Sequence, residues 1–231
     1  MQTHKVIVSR VEVHGSHIKT IYFTCLDGSI LKYDAGQYVT VYFKGTHTPQ
    51  GKAYSLSSAP HEAVMSITVK KIGEYSGLLH ALSVGDIFTI SDAYGHFNPH
   101  TYKPLVCISA GVGIAPIWSI LKEECARDAS RVAHLFYSNK LSDAVAFHDE
   151  LKDTLHRHEG VKVAHHITQQ SRVPKHMHKG RIDIEKCVSA VEGEVSFLLC
   201  GSVDFVKDMW QGLTRYGVAP EAISSEVFFE Q

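Results

Sequence analysis

The sequence predicts two domains, an antiparallel β domain of the barrel or sandwich type over residues 1–99 and an α/β domain with a parallel sheet over residues 103–231. Two observations predict this division. Short β-rich runs separated by turn residues fill the first half, whereas strand-like and helix-like segments alternate in the second. The length of 231 residues suits two domains of about 100–130 residues each.

The strands of the first half are predicted from β-branched and aromatic residues. Glycine-containing turn signals separate them, at Asp27-Gly28, Ala35-Gly36, Lys44-Gly45 and Val84-Gly85-Asp86. Many short strands at regular spacing are typical of an antiparallel barrel or sandwich. The predicted strands lie at residues 6–13, 21–23, 38–43, 65–69 and 87–90.

The second half begins after a polar connection, residues 98–103, that Pro99 and Pro104 bracket. Strand-like and helix-like segments then alternate, which predicts parallel strands with helices packed on the sheet. The predicted strands lie at 105–109, 132–137, 161–167 and 195–200, and the predicted helices at 115–127, 147–158 and 204–216.

Composition excludes several classes of protein. The formal net charge is −1, which gives no footprint for nucleic acid or an anionic membrane. Five scattered cysteines without a C-x-x-C pair argue against a disulfide framework, a zinc site or an iron–sulfur site. The polar N-terminus lacks the apolar stretch of a signal peptide, and no apolar run has the length of a membrane helix, so the cytosol is the expected compartment.

Sixteen histidines invite a metal hypothesis. Most are scattered, and the densest stretch lies around a loop-like segment rich in Gln, Ser and Lys. Converging ligands are needed for a metal site, so we expect surface or packing histidines and no metal. The dense stretch contains His165, His166, His176 and His178.

A glycine-containing loop, residues 108–116, joins the first predicted parallel strand to the first helix of the second domain. Gly111 and Gly113 allow backbone amides to approach a pyrophosphate, and the helix start adds unpaired N–H groups and the positive end of its dipole. Pro116 suits the first helical turn but occupies the third position of a G-x-G-x-x-G motif. The loop alone therefore leaves a nucleotide site and a plain strand-to-helix turn both open.

Seven motifs in order resemble those of the ferredoxin–NADP reductase superfamily, and they span nearly the whole chain. The segment 52–60, KAYSLSSAP, resembles the flavin-binding signature R-x-Y-S/T of that family, with Lys52 in place of the usual Arg. The other matches are Ala35-Gly36-Gln37-Tyr38, Gly73-Glu74-Tyr75-Ser76, Gly95-His96-Phe97, Gly111 to Pro116, Cys200-Gly201-Ser202 and Glu226-Val227-Phe228-Phe229.

The resemblance implies an antiparallel β-barrel flavin domain followed by an α/β parallel-sheet nucleotide-binding domain. It implies hydride transfer from NADH or NADPH to FAD, with FMN as the less favoured flavin. It also implies cofactor-binding roles for Lys52, Ala53, Tyr54, Ser55, Gly73, Ser76, Gly77, Gly111, Gly113, Ile114, Pro116, Gly201 and Ser202, and catalytic roles for Ser55, Cys200, Glu226 and Phe228.

The flavin motif assigns particular roles, each with a structural alternative. Tyr54 is expected to contact the flavin, or else to be a core aromatic residue. Ser55 is expected to donate a hydrogen bond near flavin N5, or else to be an ordinary strand serine. Lys52 can pair with a phosphate but lacks the bidentate fork of guanidinium, which predicts weaker flavin retention. Ser76 is expected to be an N-cap that leaves amides at Ser76 and Gly77 for the flavin phosphate.

The motifs of the second domain also carry alternatives. Cys200 is expected to pack against nicotinamide without acting as a thiolate, or else to be a small buried residue at a strand end. Glu226 is expected to receive or relay a proton near the flavin, or else to be an exposed acid. Phe228 is expected to cover the flavin face, with Phe229 as a competing candidate and a docking role as the alternative.

Three functions remain open from the sequence. The favoured one passes electrons to a separate ferredoxin, flavodoxin, haem protein or oxygenase. A flavin reductase that releases reduced flavin and a non-catalytic redox-sensing module are the alternatives. The segment Ser138-Asn139-Lys140 offers neither the acid that favours NADH nor an Arg for NADPH, and Lys140 and Arg172 either supply positive charge or face solvent. We expect a slight preference for NADH.

Overall fold

The computed structural model describes residues 2–98 and 101–228, apart from the side chain of Leu155. The strands are β1 (Thr3–His14), β2 (Ile18–Cys25), β3 (Tyr38–Tyr42), β4 (Lys52–Ser55), β5 (Met65–Lys70), β6 (Ile87–Tyr94), β7 (Leu105–Ala110), β8 (Ala133–Asn139), β9 (Val161–Ile167), β10 (His178–Lys179), β11 (Ser196–Ser202) and β12 (Ile223–Phe228). The helices are α1 (Glu74–Ala81), α2 (Ile114–Arg127), α3 (His148–Arg157), α4 (Ile184–Val188) and α5 (Val203–Arg215).

The first six strands form an antiparallel sheet in the order β4-β3-β6-β1-β2-β5. An antiparallel bridge between Leu56 and Ile67 connects the ends of the sheet, so the sheet closes as a barrel and removes its exposed edges. Along β3, Val39 and Val41 are fully buried in the barrel core, and the alternate residues Tyr38, Thr40 and Tyr42 are only partly buried. The prediction of an antiparallel β-barrel is confirmed.

The last six strands form a parallel sheet in the order β10-β9-β8-β7-β11-β12. The central strands β7, β8 and β11 are mostly buried, because helices cover the sheet on either side. Ile117 of α2 and Leu151 of α3 pack into the core on one face, and Cys187 of α4 and Leu213 of α5 pack into the core on the other. The prediction of an α/β domain with a parallel sheet is confirmed.

The two domains pack against each other. Ile18, Ala35 and Phe97, all from the first half of the chain, belong to the core on the α2 side of the parallel sheet. Across this interface, the hydroxyl of Ser119 donates to the carbonyl oxygen of Ser58 at 2.5 Å. This packing holds the end of β4 close to the carboxyl edge of the parallel sheet.

Candidate active site

The chain changes direction at the middle of the parallel sheet. From β7 it proceeds outward through β8, β9 and β10, and it then returns to place β11 on the other side of β7. In open α/β sheets, the crevice at such a switch point, outside the carboxyl ends of the strands, is where ligands bind. Helices α2 and α5 both begin at this edge, α2 after the short loop that follows β7 and α5 directly after β11, so their positive dipole ends converge on it.

The two glycines of the loop after β7 have different roles. Gly113 lies so close to β11 that a Cβ atom there would stand 2.3 Å from the carbonyl oxygen of Cys200. Gly111 has a φ of +54°, and the space around its would-be Cβ is open. Gly113 is therefore needed for packing of α2 on β11, whereas Gly111 leaves the backbone accessible at the crevice. Ile114 begins α2 and Pro116 lies in its first turn, as expected.

Three of the four predicted catalytic residues come together where the domains meet. Ser55, at the end of β4, donates its hydroxyl hydrogen to Oε1 of Glu226 at 2.5 Å. Glu226 lies on β12, and its register partner on the neighbouring strand β11 is Cys200. Cys200 is fully buried. The barrel thus contributes the hydroxyl, and the α/β domain contributes the carboxyl and the thiol.

Burial shifts the pKa values of the Glu226 carboxyl and the Cys200 thiol. It raises the pKa of the Glu226 carboxyl above its ordinary value of 4.5, and the hydrogen bond from Ser55 offsets part of that rise. Burial also raises the pKa of the Cys200 thiol well above 9.0, and the nearby carboxylate of Glu226 adds to the effect. The thiol is therefore neutral near pH 7, as expected for a packing role.

A cavity of about 490 Å³ opens on the barrel, between the start of β3 and the end of β6. Ser55 and Tyr38 are register partners on β4 and β3, so their side chains lie on the same face of the sheet. The sequence motifs contained Gln37, Tyr38 and Gly95, yet we did not predict them as site residues. Their place in the matches Ala35-Gly36-Gln37-Tyr38 and Gly95-His96-Phe97 was the signal. The residues that line the cavity are Gln37, Tyr38, Thr40, Ala93, Tyr94, Gly95 and His96.

The remaining residues of the flavin motif follow the alternation of β4. Tyr54 pairs with Val39 and packs in part against the barrel core. Part of its side chain is therefore a core aromatic, as the structural alternative for Tyr54 predicted. Burial raises the pKa of the Tyr54 phenol. Lys52 is half-buried and Ala53 is exposed. Their contacts with a flavin stay predictions.

The predicted N-cap at Ser76 is wrong. Gly73 is the N-cap of α1, and Ser76 is its third residue. The Ser76 hydroxyl turns back and accepts the backbone N–H groups of Ile72 and Gly73, at 2.9 and 3.0 Å. The Gly77 amide is not available for a flavin phosphate, because it donates to the carbonyl of Gly73 at 2.8 Å as the first hydrogen bond of the helix.

The predicted residues on β11 and β12 lie at the crevice. Gly201 faces α5, where an added Cβ would stand 2.6 Å from the ring of Phe205. Ser202 is the N-cap of α5. Phe228 is half-buried and packs on the α2 side of the sheet. Its competitor, Phe229, lies outside the described residues.

Unpaired polar atoms concentrate at the carboxyl edge of the parallel sheet. Buried side-chain atoms without a hydrogen-bond partner include Ser109 Oγ near the end of β7, Asn139 Nδ2 at the end of β8, and the Nδ1 atoms of His165 and His166 near the end of β9. Buried polar groups normally have partners, so an edge with several unpaired ones suits a polar ligand such as a dinucleotide.

Among the residues that the structure describes, no group of three or more His, Cys, Asp or Glu side chains is arranged to hold a metal ion. No helix in residues 2–98 and 101–228 combines the length and apolarity needed to cross a membrane.

Comparisons with known proteins agree with this geometry. A family model described as an oxidoreductase NAD-binding domain matches residues 107–211. The flavohemoprotein of Bacillus subtilis (strain 168) is 31% identical over 239 residues, which cover 97% of this chain and 59% of that protein. Flavohemoprotein A of Dictyostelium discoideum is 30% identical over 245 residues, covering 98% of this chain and 60% of that protein. The chain thus spans about three fifths of the length of these curated relatives.

Solved structures share the fold. The flavohem-like FAD/NAD binding domain of nitric oxide dioxygenase from Vibrio cholerae has a TM-score of 0.86 at 24% identity, covering 97% of this chain and 98% of that chain. A ferredoxin NADP+ reductase from Neisseria gonorrhoeae, with bound FAD and NADP, has a TM-score of 0.83 at 22% identity, covering 99% of this chain and all of that one.

The chain therefore has a two-domain fold that these solved FAD- and NAD(P)-binding structures share. Its second domain matches the oxidoreductase NAD-binding domain family over residues 107–211.

Proposed function

We propose that this chain transfers hydride from NADH or NADPH to FAD and passes the electrons on to a protein acceptor. The observation that carries the proposal is the hydrogen bond between Ser55 and Glu226, which joins the barrel to the α/β domain. The hydroxyl, the carboxyl and the Cys200 thiol lie together between the two domains, which supports a meeting point there for a ring bound on the barrel and a ring bound on the parallel sheet.

The surroundings fit both ligands. A flavin ring has room in the cavity between β3 and β6, where Tyr38, the register partner of Ser55, and Tyr94 supply aromatic surface. A dinucleotide fits the crevice between β7 and β11, with its pyrophosphate near Gly111 and the start of α2. Lys52 supplies a positive charge for the flavin phosphate. The predicted boundaries, a flavin domain at 1–99 and a dinucleotide domain at 103–231, belong to this proposal.

FAD, when bound, supplies a two-electron acceptor for hydride that can release electrons singly. The chain's contribution is to position the flavin and nicotinamide rings, because hydride transfer requires the two rings at near-attack distance. Cys200 and Phe228 would exclude water from this contact. Ser55 already donates to the Glu226 carboxylate. A proton released at the site as electrons leave can therefore pass to Ser55 Oγ while the Ser55 proton moves to Glu226.

We propose a separate protein as the electron acceptor, of the ferredoxin, flavodoxin, haem or oxygenase type. The name flavohemoprotein, which the curated relatives carry, supports a haem-containing acceptor. A cytosolic location is part of the proposal, and the five buried, unpaired cysteines are consistent with it.

The presence of Lys52 in place of the usual Arg supports a second candidate function, that of a flavin reductase that releases reduced flavin. An ammonium is a point charge, and it forms a less specific contact with a phosphate than a bidentate guanidinium does. Weak retention would make flavin a substrate. Yellow colour that stays with the protein through gel filtration supports the first candidate, and a colourless protein with saturable flavin turnover supports the second.

The proposal is tested by replacing Ser55 with Ala and following flavin reduction by stopped flow. We expect the rate of flavin reduction at saturating NADH to fall by roughly 100-fold, as loss of precise positioning does. The dissociation constant of NADH should change little, because Ser55 lies on the barrel and not on the dinucleotide crevice.

Ser29→Ala is the matched control, since Ser29 is exposed in a loop and bonds to Asp27. It should reduce flavin at the wild-type rate. An unchanged hydride-transfer rate in Ser55→Ala would remove Ser55 from the mechanism.

A further inference from the structure

Three histidines from three segments meet beside the end of β9. The rings of His148, at the start of α3, and His176, in the connection before β10, have centroids 5.6 Å apart. The ring of His165, on β9, lies 5.7 Å from that of His148. His165 is buried and its Nδ1 has no hydrogen-bond partner, whereas His148 and His176 reach solvent.

The distance between two ring nitrogens is the central observation. Nε2 of His148 and Nε2 of His176 are 3.4 Å apart. Two imidazole nitrogens that each lie about 2.0–2.1 Å from a tetrahedral Zn²⁺ ion are separated by about 3.4 Å. The two side chains are therefore already at the spacing that a shared metal ion requires.

The outer contact of His148 favours the same arrangement. Its Nδ1 lies 3.1 Å from Oδ1 of Asp149. A carboxylate on one ring nitrogen holds the proton there and leaves the other nitrogen with its lone pair free, as is usual for metal-binding histidines. The lone pair is then on Nε2, the atom that lies within hydrogen-bond distance of His176 Nε2.

We propose that His148 and His176 bind a divalent transition-metal ion, with His165 forming the buried wall of the site and water filling the other coordination positions. Neutral imidazoles suit Zn²⁺, Ni²⁺ and Cu²⁺, and affinity should be highest for Cu²⁺ among them. With two protein ligands the site would be labile, unlike a closed structural zinc site.

Such an ion would connect two separate parts of the α/β domain. His148 begins α3, and His176 belongs to the segment that leads from β9 to β10. Because only the folded chain holds these nitrogens together, binding stabilises the folded state. The site goes beyond hydride transfer and does not depend on it.

The test uses the purified chain, free of any histidine tag and treated with a chelator that is then removed. Isothermal titration with ZnCl₂ should show one ion bound per chain and a rise in melting temperature. With one equivalent of Cu²⁺, electron paramagnetic resonance should show coupling to two imidazole nitrogens. His148→Ala and His176→Ala should each weaken Zn²⁺ binding by at least about tenfold, the lower end of losses from removing even an outer contact.

His156→Ala is the matched control, because His156 is an exposed histidine on the same helix, and it should bind Zn²⁺ like the wild type. Should His148→Ala fail to fold, His176→Ala carries the test alone from its exposed connection. The proposal is overturned if the wild type binds no Zn²⁺, or if His176→Ala binds it with unchanged affinity and stoichiometry.

Discussion

At the residue scale, the site depends on one contact between residues 171 positions apart in the sequence. The motifs identified Ser55, Cys200 and Glu226 individually. Their meeting was not predictable from spacing, since it requires closure of the barrel, the parallel pairing of β11 with β12, and the packing of one domain on the other. Ser76 shows the opposite case. Its residue type suited an N-cap, but Gly73 occupies that position and the hydroxyl turns back to the preceding turn.

Glu226→Gln tests the proposed proton path. If the Glu226 carboxylate receives the proton through Ser55, turnover with an electron acceptor requires its ionised form. Turnover in the wild type should therefore fall as pH is lowered through the pKa of Glu226, which burial raises above 4.5. Glu226→Gln should have lower turnover and no such inflection, as measured by steady-state rates between pH 4.5 and 8. Identical pH profiles for the two proteins would contradict this role.

At the element scale, the long and strongly patterned segments were predictable. β7, α2, β8, β9 and α5 begin and end within a few residues of the predicted bounds, because buried parallel strands and amphipathic helices leave clear patterns. β4, β10 and β12 were not predicted as strands. β4 has the sequence Lys-Ala-Tyr-Ser, in which one residue favours a strand by type, and its pairing with β3 decides its conformation.

Gly113→Ala tests the contact between α2 and β11. The added Cβ would stand 2.3 Å from the carbonyl oxygen of Cys200, and backbone on both sides must shift. We expect a loss of roughly 1–3 kcal/mol in the free energy of unfolding, typical of overpacking, together with weaker NADH binding. Denaturant titration and NADH titration measure the two effects.

Gly77→Ala is the comparison, because Gly77 lies within α1 and its would-be Cβ meets nothing within 4 Å. It should stabilise the protein by about 0.5–1 kcal/mol. Equal stability changes in the two variants would refute the packing role of Gly113.

At the scale of the whole molecule, the domains are joined by polar contacts as well as by a shared core. The carboxylate of Glu62, in the segment after β4, accepts a hydrogen bond from the ammonium of Lys122 on α2. His14 of β1 packs on Phe147, with ring centroids 5.7 Å apart. The sequence predicted two domains, but it contained no signal for this interface, since its partners come from distant segments and have ordinary residue types.

Buried neutral histidines predict how stability depends on pH. Burial lowers the pKa of His165 and of His166 from 6.5 to about 4, and neighbouring histidines add to the effect. Between pH 6.5 and 4 the unfolded chain therefore binds more protons than the folded one, so the free energy of unfolding decreases as pH falls through this window.

His165→Phe removes one such group and keeps an aromatic ring beside Tyr137. The melting temperature of this variant should fall less steeply between pH 6.5 and 4 than that of the wild type, and His156→Ala, an exposed position, should follow the wild type. Parallel curves for His165→Phe and the wild type would show that His165 is not protonated on unfolding.

The central claim is that the two domains hold FAD and a nicotinamide dinucleotide in contact. An absorbance spectrum of the protein saturated with FAD, recorded before and after anaerobic addition of NADH or NADPH, tests it most directly. We expect the oxidised flavin bands to bleach within seconds, faster with NADH than with NADPH. Bands that persist with both donors, in a protein shown to bind FAD, would contradict the account.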